Sequence, residues 1–280
     1  KAVIWLFQTG SPSQVDTFDF KPELQKRNGQ SLDGADPKTG FFTTSGKCLK
    51  SPFKFNQHGE SGAWISEIFP NIARHADDIA FIYSCFSRSN NHTPAMLELN
   101  SGFIRQGFPS LGSWLTYGLG SENTNLPAYV VMHGKKPRGG DPVWSSGFLP
   151  SVYQGTYIDP KHTQIEQLIE HIKNKNVSLA EQRRQLDLLA QIEQEYRKTR
   201  KADTDLDARI QSFELAFRMQ TAAPELVDFS GESKKTLESY GVGDKLANQF
   251  GSNCLMARRM VERGVRFVQL YHYTWDDHSN

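Results

Sequence analysis

Cysteine is scarce: Cys48, Cys85 and Cys254 are the only three in 280 residues, and no two stand at C-x-x-C spacing. That pattern excludes a zinc knuckle and a thioredoxin-type motif. Cys85 falls in a strand pattern and Cys254 on the apolar face of a helix, so both read as small buried hydrophobes. An excess of one charge is missing too. Lys and Arg number 32 against 31 Asp and Glu, a formal net charge of +1, which leaves no electrostatic footprint for nucleic acid. No apolar run exceeds strand length, so no transmembrane segment is expected. There is no Walker A or Rossmann glycine fingerprint. No period recurs, which excludes a repeat array. Residue 1 opens almost directly into a strand, and the compartment stays open.

What the chain does have is apolar strands alternating with amphipathic helices. Ala2–Phe7 is a continuous apolar run that breaks at Gly10-Ser11-Pro12-Ser13, the pattern of a fully buried central strand. Residues 28–62 are rich in Gly, Ser, Lys and Asn and read as a long ordered excursion. Ser66 is expected to cap a helix whose inward positions are Ile68, Phe69, Ile72 and Ala76. Ile79–Tyr83 reads as the second buried strand. A short helix follows Asn90-Asn91-His92-Thr93-Pro94 as far as Ser101-Gly102, and another covers Ser110–Leu119. Ala128–Met132 is the third strand, ending at His133-Gly134, and a glycine- and proline-rich loop runs from Lys135 to Gly155.

From about Thr163 to Ala222 the pattern becomes polar and helical. Ile165, Leu168, Ile169 and Ile172 share one face. Ser178-Leu179-Ala180-Glu181 is a capping box that opens a helix with Leu188, Leu189, Ile192 and Tyr196 on one side. Leu206, Ile210, Phe213 and Phe217 mark a third helix. Phe250, Cys254, Ala257 and Val261 then turn one helical face to the sheet, and Gly264 ends that helix. Val265–Tyr271 is the last strand. The alternation predicts an α/β fold: a three-layer, doubly wound, mainly parallel sheet in one domain over residues 1–280, with a helical insertion at about 160–230.

The candidate chemistry sits at strand ends, where open parallel sheets bind ligands. Beyond the last strand, Asp276 and His278 stand two residues apart and can both reach one divalent ion, zinc, calcium or magnesium; the alternative is a charged surface loop. His92 is a metal ligand, a general base or a partner for a loop. Thr93 precedes Pro94, and proline favours the first helical position. Thr93 therefore reads either as an N-cap or as a nucleophile beside backbone N–H groups that attract phosphate or sulfate. Asn91 orients an oxyanion or forms an ordinary turn. Ser13 is a candidate substrate contact after the first strand. Asp16 either completes a metal site or caps the turn before Lys21-Pro22. Gly134, Gly139 and Gly140 with Lys135, Lys136 and Arg138 form either an anion cradle or a mobile basic loop. The chain stops at Asn280, inside the loop that would complete the site, so a piece of a longer protein is expected.

Several stretches together resemble a known family. They are Gly10-Ser11-Pro12-Ser13-Gln14-Val15-Asp16-Thr17-Phe18-Asp19, Ser51-Pro52-Phe53-Lys54-Phe55, Asn91-His92-Thr93-Pro94-Ala95, Pro109-Ser110-Leu111-Gly112-Ser113-Trp114, Cys254-Leu255-Met256-Ala257-Arg258-Arg259 and Trp275-Asp276-Asp277-His278. The chain is similar along its whole length to the domain of unknown function 1501 family, of the alkaline phosphatase and sulfatase superfamily. The resemblance implies an alkaline-phosphatase-like fold and an exported bacterial protein, periplasmic or secreted. It also implies a metal-dependent hydrolase of phosphate or sulfate esters, with a small-molecule or glycan ester as substrate. The frame of the sulfatase motif, Cys-x-Pro-Ser-Arg, falls at Pro94 and Ser101-Gly102, with His92 at the cysteine position and no matching arginine. Thr9 or Gly10 stands where superfamily enzymes usually carry a metal-binding Asp. Those departures leave a second expectation beside the first: a catalytically inactive relative that binds an anionic glycan or a partner protein.

Overall fold

The computed structural model describes residues 1–31, 46–161, 168–169, 172–173, 176–199, 204–273 and 275. Strand β1 covers Val3–Gln8, β2 Phe55–His58, β3 Ala63–Ser66, β4 Tyr129–His133, β5 Thr156–Ile158 and β6 Phe267–His272. The longer helices are α1 (His92–Ser101), α2 (Leu111–Leu119), α3 (Leu179–Thr199), α4 (Thr204–Ala222) and α5 (Asn248–Glu262). The chain divides into two compact units, one of Lys1–Thr9 and Asn91–Thr274, the other of Gly10–Asn90 and Trp275–Asn280.

The first unit is α/β. Its sheet has the order β1-β6-β4-β5, and every neighbouring pair is parallel. In register, Val3 and Tyr129 both face Phe267, and Val130 faces Thr156. Side chains alternate across a sheet with a period of two, so each strand feeds two separate cores. Val130, Met132, Ile158, Val268 and Leu270 pack with Met256, Ala257 and Met260 of α5 and Met219 of α4. Phe7, Tyr129, Val131, Phe267 and Tyr271 pack on the opposite side with Met96 and Leu97 of α1 and with Trp144. Strands buried on both faces read as near-continuous apolar runs, and for β4 and β6 the sequence pattern gave that reading correctly. α2 approaches β4 through a glycine: a Cβ on Gly112 would meet the Tyr129 ring at 2.5–2.6 Å.

Other expectations need correction. β1 is at the edge of the described sheet, not its centre, and Val3, Ile4 and Leu6 are 42%, 37% and 43% exposed. An apolar run records hydrophobicity but not which strands pair, and β6 takes the central place beside β1. β5 was hidden in the glycine-rich loop, because three residues are too few for a periodic signal. In α3 the Ser178 cap holds, with the Glu181 N–H donating to Ser178 Oγ at 3.2 Å. The buried face, however, carries Leu186 and Glu193, while Leu188 and Ile192 are exposed. Glu193 is stabilised there by Arg197 Nε at 2.9 Å. Arg183 reaches across to both carboxylate oxygens of Glu214 on α4, at 2.8 and 2.5 Å. Much of the face expected around Ile165 lies outside the described residues; Leu168 and Ile172 are buried in the first core. Cys254 is half-buried against that core, and burial pushes its thiol up to about 11.

The second unit is built on the antiparallel pair β2–β3, with Phe55 opposite Ser66. Ile65, Ala73 and Ala76 form its core, with Phe18, Phe69 and Phe81 against them. The Asp77 carboxylate accepts from the N–H groups of Ser61 and Glu60, at 2.8 and 2.9 Å; these bonds hold its pKa below the usual range. Ser66 ends β3 instead of capping a helix, and short helices occupy Pro70–Ala73 and Ala76–Asp78. Ile79–Tyr83 is not a strand: Ile82 and Tyr83 are 73% and 53% exposed, and Cys85 is exposed as well. An apolar run without a pairing partner cannot satisfy its backbone as a strand.

A closed polar network lies inside the first unit. Gln269, fully buried in β6, accepts from Tyr129 Oη at 2.5 Å and donates to Asn100 Oδ1 at 2.6 Å. Asn100 in turn donates to the Met96 carbonyl at 2.7 Å. Burial drives the Tyr129 and Tyr271 phenols well above their ordinary range, so both stay protonated as donors. Gln269→Leu should destabilise the protein by about 2–3 kcal/mol, because the Tyr129 hydroxyl and Asn100 amide lose a partner in a dry core. Urea denaturation measures it; an unchanged midpoint would show that the network contributes nothing net.

Candidate functional site

In a parallel sheet all strands end on the same rim, and here that rim carries Gln8, His272, His133 and Ile158. Alternation then sorts the side chains. His133 is in register with Tyr271 and shares the face packed by α1. His272, one residue further on, turns to the opposite face, where its ring lies 4.1 Å from Phe250 of α5 and burial lowers its pKa.

Helix α1 brings its start to the rim on the first of these faces. Its later residue Asn100 bonds to Gln269 in mid-strand, and Thr93 Cγ2 would lie 3.8 Å from a Cβ on Gly139, in the loop leaving β4. The cap differs from expectation. Asn91 is the N-cap, its Oδ1 accepting from the Thr93 N–H at 3.2 Å, and Pro94 is the third helical residue. A short amide side chain two residues earlier does the capping, so the Thr93 hydroxyl is released from that task. Gly102, at φ 81°, ends the helix in the left-handed conformation that glycine tolerates.

Beneath the helix start, His133 is 6% exposed. Its ring stacks on Tyr157 at 4.1 Å and stands 5.3 Å from Trp144. Its Nδ1 has no hydrogen-bond partner. Desolvation pulls its pKa down to about 4; the Asp159 and Asp141 carboxylates oppose that shift and Lys136 adds to it. At the end of β1, Thr9 donates its N–H to the His272 carbonyl at 2.8 Å. The Thr9 side chain is buried, and its Oγ1 is also without a partner.

Of the residues singled out in sequence, Asn91, His92 and Thr93 come together at one helix start. Ser13 is exposed and precedes the short helix Gln14–Thr17, which contains the half-buried Asp16; both belong to the second unit. Asp276 and His278 lie outside the described residues, and among the described residues no three His, Cys, Asp or Glu are grouped to hold a metal ion. Thr9, His133 and Lys135 were not read as one group. The period of two carried the signal, but only strand pairing tells which ends share a face.

A model for a protein family of unknown function, DUF1501, matches residues 1–280. The chain belongs to the DUF1501 family. No curated protein and no solved structure matches it. Among the described residues of this DUF1501 chain no helix is long and apolar enough to cross a membrane.

The buried imidazole makes stability depend on pH. His133 stays neutral in the folded protein down to about pH 4, whereas the unfolded chain protonates near 6.5. Between those values the unfolded state binds more protons, so stability falls as pH drops through that window and levels off below it. The full effect is on the order of 2–3 kcal/mol. Urea denaturation at about pH 7 and about pH 4.5 should show a smaller acid loss for His133→Gln than for the parent; equal losses would remove His133 as the source.

Proposed function

We propose that this DUF1501 protein is a metal-dependent hydrolase of phosphate or sulfate esters on an alkaline-phosphatase-like fold, exported to the periplasm or secreted. One observation supports the reading above the others: α1 starts at the carboxyl-terminal rim of a parallel sheet, with His92 and Thr93 in its first turn. Free N–H groups at such a start stabilise the charge that develops on transferring oxygens. Thr93 serves as the nucleophile, or positions water for that role, and His92 takes the proton. Asn91 holds the helix start in shape, and Ser13 is assigned to the substrate.

Asp276, His278 and Asp16 are the proposed ligands of a divalent ion. Carboxylates and an imidazole suit such an ion in kind. The set is incomplete among the described residues, so no step is derived through the ion; when bound it would polarise the ester oxygen. A second reading, an inactive relative that binds an anionic glycan or a partner protein, draws support from Thr9 standing at the end of β1 in place of a carboxylate.

Metal analysis of the purified protein with Asp276→Ala and His278→Ala, alongside assays on aryl phosphates and aryl sulfates, tests both readings. The hydrolase reading expects bound metal that is lost in the two variants. It also expects kcat to fall about 10²–10⁴-fold in His92→Ala and in Thr93→Val. Flat rates on every ester, with ligand-induced thermal stabilisation, would favour the binding protein.

A further inference from the structure

Two of the buried polar atoms without partners, Thr9 Oγ1 and His133 Nδ1, lie at the same rim. Thr9 and His133 are 7% and 6% exposed. Phe7, Tyr271 and His133 form one in-register row. By alternation the next row on that face is Thr9, Tyr273 and Lys135. The structure bears the second row out, since Lys135 Nζ sits 4.3 Å from the centre of the Tyr273 ring. The face is the one packed by α1, and Trp144 links the groups, touching both His133 and Tyr271 at 5.3 and 6.0 Å.

A buried donor or acceptor left unmade costs free energy, and native proteins keep few of them. Two on one rim, beside an ammonium group and a helix start, call for a common partner. The charges decide its sign. No carboxylate belongs to either row, and the nearby Asp141 is already paired with Lys136 at 2.8 Å. A cation would meet Lys135; an anion would meet Lys135, a hydroxyl donor, an imidazole N–H and helix N–H groups.

The geometry points to a binding site for a tetrahedral oxyanion, phosphate or sulfate, formed by Lys135, Thr9 and His133 at the start of α1. The site deepens the hydrolase reading by naming the groups that take the substrate's anionic head. It does not depend on catalysis, because the free anion suffices to fill it. The oxyanion selects the His133 tautomer with its proton on Nδ1. The neutral Thr9 suits an anion seated directly on the rim.

Inorganic phosphate and sulfate, titrated separately at constant ionic strength with chloride as the control, form the test. Calorimetry and the His133 imidazole resonances provide the readouts. At least one anion should bind where chloride does not, and it should raise the His133 midpoint from about 4, because a nearby negative charge favours the imidazolium. Lys135→Met should weaken binding about tenfold or more. Thr9→Val, which is nearly isosteric, should weaken it about threefold to tenfold without destabilising the free protein. Circular dichroism confirms that both variants fold. No binding beyond chloride, or folded variants with parental affinity, overturns the site and leaves the two atoms to buried water. Anion binding without ester hydrolysis would remove the hydrolase reading and keep the site; hydrolysis that both variants leave unchanged would do the reverse.

Discussion

The amide of Gln269 is the constraint on which the larger unit depends. It sits with no exposure in the middle of a parallel sheet, where water cannot serve it. A buried amide left unpaired would cost more than most single packing contacts return. The structure satisfies it from β4, through Tyr129, and from α1, through Asn100. Those two bonds fix how α1 lies along the sheet. They therefore also fix where its amino-terminal turn arrives, beside the loop that leaves β4.

Mid-sheet and rim contrast in their polar accounting. At Gln269 the network closes among side chains. At the rim, Thr9 and His133 are buried almost as deeply and have a group left over. Folding tolerates such groups where the protein keeps something for a ligand or for ordered water. The pressure on His133 is consistent with this: its neutral form is held by desolvation, flanked by Tyr157 and Trp144, and opposed by the carboxylates of Asp159 and Asp141.

How much was legible in the sequence differs by element. α2 with its Ser110 cap, the Ser178 cap of α3, the helix before Gly264, and strands β4 and β6 all follow from local rules, because caps, C′ glycines and apolar runs act within a few residues. Ile79–Tyr83 is equally apolar but has no pairing partner, and it is exposed. The inward face of α3 was misjudged because Glu193, a charged residue, is buried beside its own Arg197, and a hydrophobic pattern counts such a residue as outward. At the candidate site, Asn91, His92 and Thr93 could be named from their spacing alone. Which of them caps could not, since Asn and Thr are both good caps two positions apart.

The sequence by itself determined the α/β character, most helix boundaries, the strands buried on both faces and the membership signalled by its motifs, because each depends on neighbours in the chain. Only the tertiary structure decided that β1 is an edge strand, that His133 and His272 part to opposite faces, and that Thr9, His133 and Lys135 share one rim. Those facts are set by strand order and register. Strand order joins residues more than a hundred positions apart, and a shift of one residue in register would send every side chain of a strand to the other face.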